Sequence, residues 1–139
     1  MATGVQITFD AADPPALADF WALALGYVTQ PPPPGFSSWP DWLRQMGIPE
    51  ERWGDMASVV DPDGKGPRLL FQKVPEPKTA KNRVHLDVNA GAPDHDRPRV
   101  DAHVARLVDA GGAVQREVEL RGERWVVMTD PEGNEFCVQ

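Results

Sequence analysis

The C-terminal stretch Trp125-Val126-Val127-Met128-Thr129-Asp130-Pro131-Glu132-Gly133-Asn134-Glu135-Phe136-Cys137-Val138 has a faded copy earlier in the chain. Its flanks are β-branched and aromatic; between them Pro131 fixes φ for a tight turn and Gly133 supplies φ > 0, so the stretch predicts a β-hairpin. The copy is Ala57-Ser58-Val59-Val60-Asp61-Pro62-Asp63-Gly64 followed, after a two-residue excess, by Arg68-Leu69-Leu70-Phe71-Gln72. A hairpin repeated near the end of each half predicts two similar modules.

The segments before each hairpin repeat as well. Val5-Gln6-Ile7-Thr8-Phe9-Asp10 and Val84-His85-Leu86-Asp87-Val88-Asn89 both alternate apolar and polar residues, as half-buried strands do. A helix follows the first, with Asp13 as N-cap, Pro14 in its first turn, a stripe of Leu17, Phe20, Trp21, Ala24 and Leu25, and Gly26 as its stop. After the second strand, Gly91 to Arg99 forms a loop. A helix then starts around Pro98, places Val100, Val104, Leu107 and Val108 on one face and ends at Gly111-Gly112. Tyr27-Val28-Thr29 and Ala113 to Glu119 read as further strands, so each half reads β, α, β, β, β.

One region has no counterpart. From Pro31 to about Gly54 four consecutive prolines precede Phe36, Trp39, Trp42 and Trp53, a pattern no packed strand can carry. Short helical turns are expected around Trp42 to Met46 and Glu50 to Trp53. Such an excursion is a plug on the domain's own flank, a lid over a pocket or a partner surface. The whole, residues 1–139, is expected to be one domain: module 1 about 4–74, a polar proline-punctuated linker about 75–81, module 2 about 82–139.

A formal charge of −7 argues against nucleic acid and anionic membrane as partners. No apolar run approaches the ~20 residues a bilayer span needs. Met1 is not followed by a basic segment, an apolar core and a cleavage site, so a cytoplasmic location is expected. Cys137, the single cysteine, excludes an intrachain disulfide.

Taken together, the Asp-Pro and Phe-Trp helix ending in Leu-Gly-Tyr, the segment Leu-Leu-Phe-Gln-Lys-Val-Pro-Glu-Pro-Lys, the strand Asn-Arg-Val-His-Leu-Asp-Val and the terminal Asp-Pro-Glu-Gly-Asn-Glu resemble the vicinal oxygen chelate superfamily. That group holds glyoxalase I, extradiol dioxygenases, fosfomycin-modifying enzymes and bleomycin-resistance proteins. The resemblance covers nearly the whole chain and is narrowest to its glyoxalase-like proteins. It implies an α+β fold of two tandem βαβββ modules forming an incomplete barrel around a central cavity, and pairing of two chains as a homodimer.

The resemblance also implies a divalent metal held by His or Gln on the first strand of each module and Glu on the last. Carried over, the first-strand positions are Gln6 and His85. The last-strand positions are Cys137 and, by matching Arg68-Leu69-Leu70 onto Glu135-Phe136-Cys137, Leu70. Leucine has no lone pair to offer, and the missing carboxylate removes charge and geometry together. The expectation is therefore no metal cofactor and a small organic ligand, bound as in bleomycin-resistance proteins or acted on weakly by His85 and Glu135. The alternative is a metal-dependent lyase, isomerase or dioxygenase-type enzyme with a divalent ion on Gln6, His85 and Glu135.

From the residues alone, Gln6, Thr8, Gln72, His85, Asp87 and Glu135 are polar positions of alternating strands. Leu70 and Cys137 add apolar patches, and Trp53 or Trp39 is a candidate cover. His85 is a candidate general base and Asp87 its orienting partner; the plainer reading makes both hydrogen-bonded strand residues. Cys137 reads as a small buried hydrophobe rather than a nucleophile, and His95 and His103 as solvated.

Overall fold

The structure, a computed structural model, describes residues 1–139 as two compact units. One comprises Met1–Ala22 and Gly26–Pro75, the other Leu23–Leu25 and Glu76–Gln139. Each contains one four-stranded sheet and neither sheet closes on itself.

In the first unit, strands β1 (Ile7–Ala11), β2 (Val28–Thr29), β3 (Met56–Val60) and β4 (Leu69–Lys73) lie in the order β1-β4-β3-β2. β1 runs parallel to β4 and the other pairs are antiparallel. Helix α1 (Pro14–Leu25) begins where the Asp13 carboxylate accepts the Ala16 N–H at 3.3 Å, and ends at Gly26 in the left-handed region with φ 68°. One sheet face is apolar: Leu69 and Phe71 are buried, and the Phe9 ring lies 5.0 Å from Phe71 and 5.1 Å from Trp21 of α1. Alternation then puts Gln6, Thr8, Asp10, Ser58, Arg68, Leu70 and Gln72 on the face turned away from that core.

The proline-rich excursion folds on itself. Helix α2 (Trp39–Gln45), capped by Ser38, and a 3₁₀ helix over Glu50–Asp55 match the expected helical turns. The Trp39 indole donates to the Gln30 carbonyl at 2.7 Å and the Trp53 indole to Ile48 at 2.9 Å, while the Arg44 guanidinium sits 5.1 Å over Trp53. These bonds tie the excursion to itself, and neither of its helices contains a fully buried residue.

The second unit repeats the pattern. Strands β5 (Asp87–Val88), β6 (Ala113–Leu120), β7 (Glu123–Thr129) and β8 (Glu135–Val138) lie in the order β5-β8-β7-β6, with β5 parallel to β8. The two sheets thus share one connectivity, the second tracing the first strand for strand. The duplicated turns match in chemistry too. Asp61 accepts the N–H of Asp63 at 2.8 Å, and Asp130 accepts the N–H of Glu132 at 2.9 Å. Gly64 and Gly133 both take positive φ.

Three expectations need correction. The strand expected over Val84 to Asn89 is reduced to Asp87–Val88, because the Asn82 side-chain amide takes the Glu135 backbone carbonyl at 3.4 Å, where the ladder would continue. Helix α3 (Arg97–Asp109) buries Val100, His103 and Leu107, whereas Val108 is exposed. His103 is therefore not solvated. It occupies the i+3 position of the stripe, and burial there is tolerated because its Nε2 bonds the Ala24 carbonyl at 2.9 Å and its Nδ1 bonds Arg106 at 2.7 Å.

α3 is also tied to the sheet by charge. Arg124 of β7, its side chain largely buried, bonds Asp101 of α3 at 2.8 Å and Glu117 of β6. The second unit's core is Val88, Val126, Met128, Phe136 and Val138 with the α3 stripe. Glu135, Cys137, Trp125 and Val127 consequently fall on the opposite face. No helix is long and apolar enough to cross a membrane.

Candidate functional site

That opposite face of the second sheet carries a concavity of about 400 Å³. Its floor is set by register. Asp87 of β5 stands opposite Cys137 of β8, which stands opposite Val127 of β7, and His85 precedes Asp87 by two residues. Trp125 and Val127 give it an apolar wall, and Lys81, Arg116, Glu123 and Glu135 ring it with charge. Arg116 reaches this face because a β-bulge between Val114 and Arg116 reverses the alternation of β6.

His85 Nε2 lies 3.3 Å from Asp87 Oδ1, so the carboxylate orients the imidazole. The Cys137 thiol sulfur lies within 4.8 Å of the same carboxylate. Burial, and then the negative charge of Asp87, push this thiol above its ordinary value, so at neutral pH it is a protonated, apolar surface. Glu135 is engaged elsewhere. Besides Asn82, its carboxylate takes Lys78 Nζ at 3.2 Å, and these partners hold its pKa low. What this arrangement offers chemically is one imidazole fixed by a carboxylate at a half-apolar surface, able to accept a proton from a bound molecule.

The remaining sequence-derived candidates lie in the first unit. Gln6, Thr8, Leu70 and Gln72 share the face turned away from α1, where Thr8 stands opposite Leu70 as Asp87 does opposite Cys137. This supports the matching of Leu70 with Cys137. Gln72 donates to Asp10 at 3.0 Å. Gln6 Oε1, the atom that would meet a metal, accepts from the Arg68 guanidinium at 2.8 Å. Trp53 stands in the excursion with its N–H bound to Ile48.

The donor set can be compared with the superfamily's metal on these residues. Gln6 is bonded to a cation, Leu70 has no donor atom and Cys137 is a neutral thiol, so three of the four positions do not fit a hard catalytic ion. Within the second unit alone, His85, Asp87 and Cys137 bring ligand atoms within 4.8 Å of one another.

Sequence reasoning missed Lys81, Arg116, Glu123, Trp125 and Val127. The alternation of the terminal hairpin contains the signal for Trp125 and Val127, since both share a face with Cys137. Arg116 had no such signal, because nothing in Ala113 to Glu119 announces the bulge.

The family model for the glyoxalase-like domain matches residues 6–139. A search of curated protein sequences gives no match. Among solved structures, a possible glyoxalase from Bacillus cereus superposes with TM-score 0.64 at 17% identity, over 100% of this chain and 99% of its own. The fosfomycin resistance protein FosX from Mesorhizobium loti gives 0.65 at 11% identity, over 100% and 92%. A bleomycin-binding protein from Streptomyces verticillus, complexed with copper(II)-bleomycin, gives 0.55 at 20% identity, over 100% and 96%.

Proposed function

Since the chain belongs to the glyoxalase-like domain family of the vicinal oxygen chelate superfamily, we propose that it binds a small organic molecule in the second-sheet concavity, without the superfamily's usual catalytic metal. The observation that carries this reading is the surface itself: about 400 Å³, with Trp125, Val127 and a neutral Cys137 beside the oriented pair His85 and Asp87. A hollow that joins an apolar wall to fixed polar groups suits an organic ligand better than a bare ion. The likeness to bleomycin-binding and fosfomycin resistance proteins supports a small-molecule ligand. Where a reaction occurs, His85 is its base and Asp87 holds the ring. Glu135 contributes by anchoring Lys78 and Asn82 at the rim.

The test is a thermal-shift screen of a metabolite and antibiotic library against protein purified without an affinity tag. A ligand at 100 times its dissociation constant stabilises by about 2.7 kcal/mol. The shift should vanish in Trp125→Ala and shrink in His85→Ala. A library-wide absence of shifts, or hits indifferent to both substitutions, would overturn the reading.

The closeness of His85, Asp87 and Cys137 favours one second reading, a borderline ion such as Zn²⁺ on those three donors. Stoichiometric metal in elemental analysis of the untagged protein, lost in His85→Ala, would establish it.

A further inference from the structure

The first sheet carries a cation that the concavity on the second sheet does not use. Arg68 lies just before β4, on the face turned away from α1, half-buried. Its Nε donates to Gln30 Oε1 at 2.6 Å and its Nη1 to Gln6 Oε1 at 2.8 Å. Ser58 Oγ donates to the same Gln30 oxygen at 2.7 Å, and the Gln6 amide donates to Thr8 at 3.4 Å, so both glutamines are themselves oriented. None of the chain's ion pairs includes Arg68. The guanidinium is thus fixed by two neutral oxygens with its charge uncompensated, and Nη2 has no protein partner.

Such an arrangement is unlike that of Arg124, which spends its charge on Asp101 and Glu117. Neutral acceptors hold a guanidinium in place without cancelling its field, and they leave its remaining N–H groups free for an oxyanion. Beside it on the same face Leu70 is half-buried between Thr8 on β1 and Ser58 on β3. We propose that Arg68 anchors a small organic oxyanion, a carboxylate or a phosphoryl group, whose apolar part rests on Leu70. Gln6 and Gln30 are positioning residues: they aim the guanidinium and do not touch the ligand. The second-sheet site neither requires nor excludes this one, so either proposal can fail alone.

The experiment follows the Arg68 Nε–H signal and the backbone amides of Ser58 and Leu70 by ¹H–¹⁵N NMR. Intact protein is titrated separately with inorganic phosphate and with benzoate, at ionic strength held constant with sodium chloride. Saturating shifts are expected with at least one probe: phosphate alone assigns a phosphoryl ligand, benzoate alone a carboxylate. Arg68→Gln should weaken the apparent affinity, read on the amides, at least about tenfold, the scale of one lost charge-assisted pair. Gln30→Glu supplies an internal carboxylate to Arg68 and should weaken binding similarly while the rest of the spectrum is retained. A merely structural Arg68 would leave both titrations featureless. Linear drifts equal to those of sodium chloride, or saturation that survives both substitutions, would overturn the proposal.

Discussion

Asp87 lies opposite Cys137 across the parallel β5/β8 ladder, its carboxylate within 4.8 Å of the thiol sulfur and 3.3 Å from His85 Nε2. One carboxylate therefore orients an imidazole and adds to the burial that keeps a thiol protonated. Asp87→Asn removes the negative charge that, after burial, raises the thiol pKa. Alkylation of Cys137 should consequently become faster, with its pH–rate midpoint moved down. Burial still acts, so the midpoint should not fall below that of an ordinary thiol. The measurement is the iodoacetamide rate against pH; an unchanged profile would show that Asp87 does not govern the thiol.

His103 makes stability depend on pH. Because Arg106 donates to Nδ1, the ring proton sits on Nε2, which donates to the Ala24 carbonyl, and the folded state holds the neutral ring. Burial, with Arg106 adding to it, lowers the pKa below the ordinary 6.5. The folded state thus binds fewer protons than the unfolded chain. The contribution is complete above about pH 6.5 and is lost as pH falls below it, toward the folded-state value. His103→Leu should flatten Tm between pH 7 and 5. It should also cost about 1–3 kcal/mol at neutral pH by leaving the Ala24 carbonyl unbonded. Parallel Tm–pH curves for the two proteins would refute the assignment.

These residues also show what a sequence carries. The duplicated turns were legible because Asp61 and Asp130 bond N–H groups two residues on, chemistry contained within the tetrapeptides themselves. The equivalence of Leu70 with Cys137 followed from the same repetition, and the registers of β1/β4 and β5/β8 agree with it. His103 was not legible, because its partner carbonyl is 79 residues away and belongs to another helix. Arg68 was equally silent. Its partners Gln6 and Gln30 are 62 and 38 residues distant, and an arginine at the start of a strand reads as ordinary solvated charge until they are seen around it.

Gly91 is required by close approach rather than by its backbone angles. A Cβ there would lie 3.0 Å from the Asp96 nitrogen and from Val100 Cγ2, and 3.2 Å from the Asp96 carbonyl oxygen. Asp96 is the N-cap of α3, so it cannot give way without moving the helix. Gly91→Ala should therefore cost about 1–3 kcal/mol, the usual penalty of overpacking. Chemical denaturation measures it, with an unchanged m-value expected. A variant as stable as the parent would mean that the Asp96 turn is free to shift.

The paired turns supply an internal comparison. Asp130 is 3% exposed; its Oδ1 accepts the N–H groups of Glu132 and Asn134 at 2.9 and 3.0 Å, and its Oδ2 the Asn134 side-chain amide at 2.8 Å. Asp61 accepts three backbone N–H groups, those of Asp63, Lys65 and Gly66, but its turn lies at the surface. Losing an acceptor costs most where water cannot replace it, so Asp130→Ala should destabilise by about 2–3 kcal/mol and Asp61→Ala by clearly less. Both carboxylates would be replaced in otherwise identical protein and urea midpoints compared. Should Asp61→Ala prove the costlier, the hydrogen bonds themselves rather than their burial would be setting the strength of these turns.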